Sequence, residues 1–103
     1  KNKSIIQKVM EIALKDLPDQ IRELEGACKE KHPEKVHSAA HKIKGSSSYM
    51  RFNLIAEIAA NIEKESTDAW NDHVELHLSE LKAEWEIVQK IIESKLAQMS
   101  TTI

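Results

Sequence analysis

The sequence predicts an all-α protein, and three observations carry that prediction. Apolar residues return every three or four positions in each long segment of the 103-residue chain, the period of a helix that buries one face. Glycine and proline number only two each, as in a strongly helical domain. Apolar residues make up 41% and charged residues 31%, the balance of a folded helical domain rather than a disordered tail.

Ser4 is a natural N-cap, and Ile5, Val9, Ile12, Ala13 and Leu17 follow it at helical spacing until Pro18. A first short helix is therefore expected to end near Asp16. Pro18 suits the first turn of a second helix, whose stripe is Ile21, Leu24, Ala27 and Cys28 and which fades near Lys31. Pro33 opens a third helix in the same way, running to about Met50. Asn53 is expected to cap a fourth, striped by Leu54, Ile55, Ile58, Ala59 and Ile62 and ending by about Ser66.

From Thr67 onward there is neither glycine nor proline, and Val74, Leu78, Leu81, Trp85, Val88 and Ile92 alternate by four and three. That is a heptad seam on one long helix. The seam fits a dimeric coiled coil as well as a bundle, but Trp85 is awkward in a coiled-coil seam and four other amphipathic segments need partners. Short connections make neighbouring helices antiparallel. The expected architecture is an up-and-down four-helix bundle, residues 1–103, with an additional short N-terminal helix and a long C-terminal helix.

A formal charge of −2 with interspersed signs gives no basic surface for nucleic acid. Cys28 is the single cysteine and has no partner for an internal disulfide, and no apolar run is long enough to span a bilayer. A cytoplasmic, monomeric domain is expected. Paired carboxylates, a nucleophile with an orienting base and a phosphate-cradling glycine loop are all missing, which argues against a self-contained enzyme.

The stretch AAHKIKGSSSYM, residues 39–50, carries the chemistry. On a wheel of roughly 100° per residue, Val36, Ala40, Ile43, Ser47 and Met50 lie within about 40° of one direction, and His41 points about 140° away from it. His41 is therefore expected to be exposed, with Lys44 three residues on, Gly45 one turn on and Ser48 two turns on. An ammonium and a hydroxyl suit an anion carried on the imidazole. A mid-helix glycine costs roughly 1 kcal/mol against alanine, and at Gly45 it would clear space for a partner's active site to approach.

His41-Lys42-Ile43-Lys44-Gly45-Ser46-Ser47 resembles the signature of histidine-containing phosphotransfer (HPt) domains. The likeness extends over LPDQIRELEGACKEK before the motif and LIAEIAANIE after it. The stretch AWNDHVELHLSELKAEWEIVQKI is similar to the end of the HPt module of Arc-type hybrid sensor kinases. The resemblance implies a phosphorelay intermediate: His41 phosphorylated, Lys44 and Ser48 stabilising the phosphate, Gly45 giving clearance, and His37, Ser38 and Lys42 on the docking surface. It implies receiver domains of response regulators or hybrid kinases as partners, and no ATP-dependent kinase activity. No cofactor is expected in this chain, with magnesium in the partner receiver. The domain would be freestanding or a cytoplasmic module of a membrane-bound sensor kinase.

Members usually carry a second glycine ten residues past the histidine, where this chain has Arg51. Either the turn moves to Phe52 and Asn53, or Arg51 takes a left-handed conformation. Two alternatives to the relay remain: a helical interaction scaffold using the heptad helix, and a metal site using His37 with His41 or His73 with His77, pairs whose four-residue spacing puts both rings on one helix face.

Overall fold

A computed structural model describes residues 4–66 and 72–101. Among these residues the chain forms four helices: α1 (Ile5–Lys29), α2 (Pro33–Tyr49), α3 (Asn53–Glu65) and α4 (His73–Thr101). Each helix packs on its neighbours in sequence, and α4 closes the ring against α1. The all-α, up-and-down four-helix bundle expected from the sequence is the observed architecture. It is elongated, 54 × 20 × 19 Å.

The separate short N-terminal helix is not observed. Pro18 lies inside α1, which runs unbroken through it. Proline removes its own N–H and crowds the carbonyl four residues back, a cost of about 3 kcal/mol. Burial of Leu17, Ile21 and Leu24 on the same side as Ala13 outweighs it, at about 1.5–3 kcal/mol for each large side chain. The stripe at the start of α1 is also rotated from the expected one: Met10 and Ala13 are buried, whereas Ile5 and Ile12 are exposed.

Ser4 caps α1 as expected, its Oγ accepting from the Gln7 N–H at 3.0 Å. At the start of α2, Pro33 occupies the first turn and His32 is the cap, with Nδ1 accepting from the Lys35 N–H at 3.2 Å. Asn53 does not cap α3. That place belongs to Phe52, which makes no side-chain cap bond but packs on the core, so apolar contact fixes the entry of α3. Leu54, expected in the stripe, is half exposed, whereas Ile55, Ile58, Ala59 and Ile62 are buried. The seam of α4 is turned into its own bundle: Val74, Leu78, Leu81, Trp85 and Ile92 are buried and Val88 packs against them. The expected start of this helix at Thr67 lies outside the described residues.

Two helices end in the same motif. At the end of α1, His32 N–H bonds to Ala27 C=O and Lys31 N–H to Cys28 C=O, and at the end of α2, Phe52 N–H bonds to Ser47 C=O and Arg51 N–H to Ser48 C=O. These six-to-one and five-to-two pairs are the Schellman arrangement, which needs a left-handed residue just past the helix. Lys31 (φ 52°) and Arg51 (φ 66°) supply it. The turn is thus not displaced, and Arg51 does in a strained conformation what glycine does freely.

Candidate functional site

The α2 face predicted to be buried is buried: Val36, Ala40, Ile43 and Ser47 are inaccessible to solvent. Ser47 is small enough for close helix contact, and its Oγ has no hydrogen-bond partner among the described residues. That leaves His41 on the outer side, with 66% of its side chain exposed. His37, Ser38, Lys42, Gly45 and Ser48 are exposed with it, and Lys44 is partly covered.

The centre of the site is a residue that helix periodicity did not single out. Glu63, on α3, reaches across to α2 and holds three groups at once. Its Oε2 lies 2.7 Å from His41 Nδ1, and its Oε1 lies 2.9 Å from Lys44 Nζ. His37 approaches from one turn back, with Nδ1 3.0 Å from the Glu63 backbone carbonyl and Nε2 3.6 Å from Oε2. The Lys44 ammonium, and after it the His41 ring, hold the Glu63 carboxyl below the usual carboxylate range, while partial burial acts the other way.

An ionised carboxylate only accepts hydrogen bonds, so His41 Nδ1 must donate. In the neutral ring the other nitrogen, Nε2, then keeps its lone pair. The ring is thus fixed in one tautomer by α3 while its exposed body presents a nucleophilic nitrogen.

One turn on, Gly45 leaves open space: a Cβ added there would meet nothing within 4 Å. The glycine is therefore not required by packing in its own bundle, and the room it leaves is on the outer surface. On the α1 flank, Lys42 pairs with Glu23 at 3.1 Å, and Ser46 Oγ accepts from Gln20 Nε2 at 3.1 Å. Lys42 and Ser46 thus tie α2 to α1, whereas Lys44 faces α3.

His73 and His77 lie on α4, apart from this face. His77 is engaged at both nitrogens, Nε2 with Glu65 and Nδ1 with Glu80, each at 3.1 Å. Among the described residues no group of three or more His, Cys, Asp or Glu side chains is arranged to hold a metal ion. No helix among them is long and apolar enough to cross a membrane. An apolar groove lies beyond the C-terminal end of α2, between Ile5, Ile6, Tyr49, Phe52, Ile91 and Ile92, and includes none of His41, Lys44 and Glu63.

The family model described as "Hpt domain" matches residues 8–93, a span that contains His41, Lys44 and Glu63 together with most of all four helices. No curated protein and no solved structure matches the chain. HPt domains are the phosphotransfer modules of two-component phosphorelays and interact with receiver domains. An exposed imidazole on a four-helix bundle is what such a module presents, and this chain belongs to the HPt family.

Proposed function

We propose that His41 is the phosphoryl carrier, accepting the group from a receiver aspartate and returning it to another. The observation that carries this is the His41 Nδ1 contact with Glu63 at 2.7 Å on a ring that is otherwise exposed. In the transfer, the Nε2 lone pair attacks phosphorus, a P–N bond forms, and the P–O bond to the aspartate breaks with the aspartate leaving as carboxylate. Nε2 carries no proton beforehand, so no general base is needed. Positive charge that develops on the ring is met by Glu63 through the Nδ1 hydrogen.

Lys44 offsets the negative charge that Glu63 and the phosphoryl group bring together, and Ser48 adds a hydroxyl two turns from the histidine. Gly45 lets the receiver's active site come within bonding reach of Nε2, which an in-line transfer requires. His37, Ser38 and Lys42 complete the surface it would meet. The reaction asks for no cofactor in this chain, because magnesium and the acidic pocket belong to the receiver. On this reading the domain works as a cytoplasmic monomer, freestanding or as a module of an Arc-type hybrid sensor kinase, without kinase activity of its own.

The test is to mix the protein with a panel of phosphorylated receiver domains and locate the transferred group by mass spectrometry and acid lability. Acid-labile phosphate on His41, absent in His41→Gln, is the expected result. Transfer that survives the substitution would remove His41 from this role.

A further inference from the structure

Two imidazoles converge on one carboxylate oxygen. His41 Nδ1 is 2.7 Å and His37 Nε2 is 3.6 Å from Glu63 Oε2. The other His37 nitrogen, Nδ1, lies 3.0 Å from the Glu63 backbone carbonyl. A carbonyl has no hydrogen to give, so His37 Nδ1 must donate. In a neutral His37 ring Nε2 then carries a lone pair, and it faces an oxygen that is also an acceptor. Their 3.6 Å separation is outside hydrogen-bond range.

Protonation of His37 reverses that contact. Nε2 gains a hydrogen, and a charge-assisted bond to Glu63 Oε2 becomes favourable. The oxygen it would take is the one that fixes His41.

We infer that His37 is a positioning residue for His41: when protonated it competes for Glu63 Oε2 and loosens the contact that keeps His41 Nε2 unprotonated and directed outward. The coupling between the rings stands on geometry alone, and its effect on transfer rests on the phosphorelay reading. The groups facing His37 are the Glu63 carboxylate and carbonyl from α3, with His41 and Lys44 from its own helix sharing that carboxylate. Lys44 on Oε1 holds the carboxylate in place, so a small rotation moves Oε2 between the rings. The α1 flank of α2 is occupied by the Lys42–Glu23 pair.

The test uses the whole chain with 15N-labelled histidine, following the His41 ring nitrogens by NMR as pH is lowered. Two inflections in the His41 Nδ1 signal are expected, one of them at the midpoint of His37, and that one should vanish in His37→Gln. A single His41 inflection in the wild type, indifferent to His37, would overturn the inference, and this arm stands even if the variant folds poorly. In phosphotransfer, the ratio of the rate at pH 8 to that at pH 6 is expected to fall by about threefold in His37→Gln relative to wild type. An unchanged ratio with transfer intact would likewise overturn it. Coupled inflections in a protein that accepts no phosphate would support the coupling and count against the phosphorelay reading instead.

Discussion

His41 and His77 stand on the helices that flank α3, and each meets a glutamate from it, Glu63 at 2.7 Å and Glu65 at 3.1 Å. Each also has a histidine four residues before it, His37 and His73. The difference lies in the second ring nitrogen. Among the described residues His41 is held only at Nδ1 and its side chain is 66% exposed, whereas His77 is held at Nδ1 as well by Glu80 and is 20% exposed. Both His77 nitrogens point at groups that only accept, which leaves no outward lone pair. The same spacing on a helix thus yields an imidazole with an outward-facing nitrogen in one place and a bridge between helices in the other.

The largest expected effect is the functional split between the two. If His41 carries the phosphoryl group as proposed, His41→Gln should reduce phosphotransfer from a phosphorylated receiver to background, and His77→Gln should leave the rate within about twofold of wild type, since it removes no group near His41. Comparable losses in both variants would mean that His77 takes part in transfer and that the contrast between the clusters is wrong.

Glu63→Gln comes next. An amide can accept from His41 Nδ1 or donate to it, so the tautomer is no longer fixed, and the transfer rate should fall by about tenfold to a hundredfold. The same substitution reads the pair's contribution to stability. Because the Glu63 carboxyl is held below the usual carboxylate range in the folded protein, its pairing stabilises fully above that range and fades as pH falls through the lower folded value. Wild type and variant should therefore differ in Tm at neutral pH and converge at acid pH, and a gap that persists in acid would show that the loss is not electrostatic.

Much of this arrangement is legible in the residues, for physical reasons that also mark where legibility stops. Exposure of His41, and its company with Lys44 and Gly45, follows from one helix's periodicity, because Val36, Ala40, Ile43 and Ser47 can only face inward. Pro33 and Ser4 announce helix starts by local chemistry that tertiary packing leaves intact. Pro18 misleads because its cost is local and the burial that overrides it belongs to the whole bundle. Asn53 misleads similarly, since packing of Phe52 sets the start of α3.

Glu63 needs a different kind of information, the register of α3 against α2. That register is fixed by the Schellman turn, and with Arg51 in place of a glycine the sequence left two positions open for that turn. A signal did exist: His41 stands eleven residues before Phe52 and Glu63 eleven residues after it. Two antiparallel helices joined by a tight turn bring such positions level, and Glu63 follows Ile62 at the edge of the buried stripe. The periodicity of α3 on its own describes which residues enter the core and is silent about which carboxylate its flank offers to a neighbour.

Gly45 separates stability from function at the open end of the comparison. A Cβ there meets nothing within 4 Å, so Gly45→Ala should stabilise the fold by about 0.5–1 kcal/mol through helix propensity. Gly45→Leu should fold as well yet slow transfer by about tenfold or more, because a side chain beside the exposed ring keeps the receiver from bonding distance. Urea denaturation and transfer kinetics on the same two variants would check this. A Leu variant with unimpaired transfer would show that the glycine's space is not used by a partner.

The smallest effect reverses the functional order of the histidines. His77 ties the end of α3 to α4 through Glu65 and is braced on its own helix by Glu80, with its ring mostly covered, so His77→Gln should cost about 1 kcal/mol in urea denaturation. His41 makes one such contact from a largely exposed ring, and Glu63 has a second partner in Lys44, 2.9 Å away. His41→Gln should then change stability by less than about 0.5 kcal/mol. A His41 variant that destabilised more than the His77 variant would mean that the Glu63 contact serves chiefly to hold α2 to α3, and the case for a poised Nε2 would rest on exposure alone.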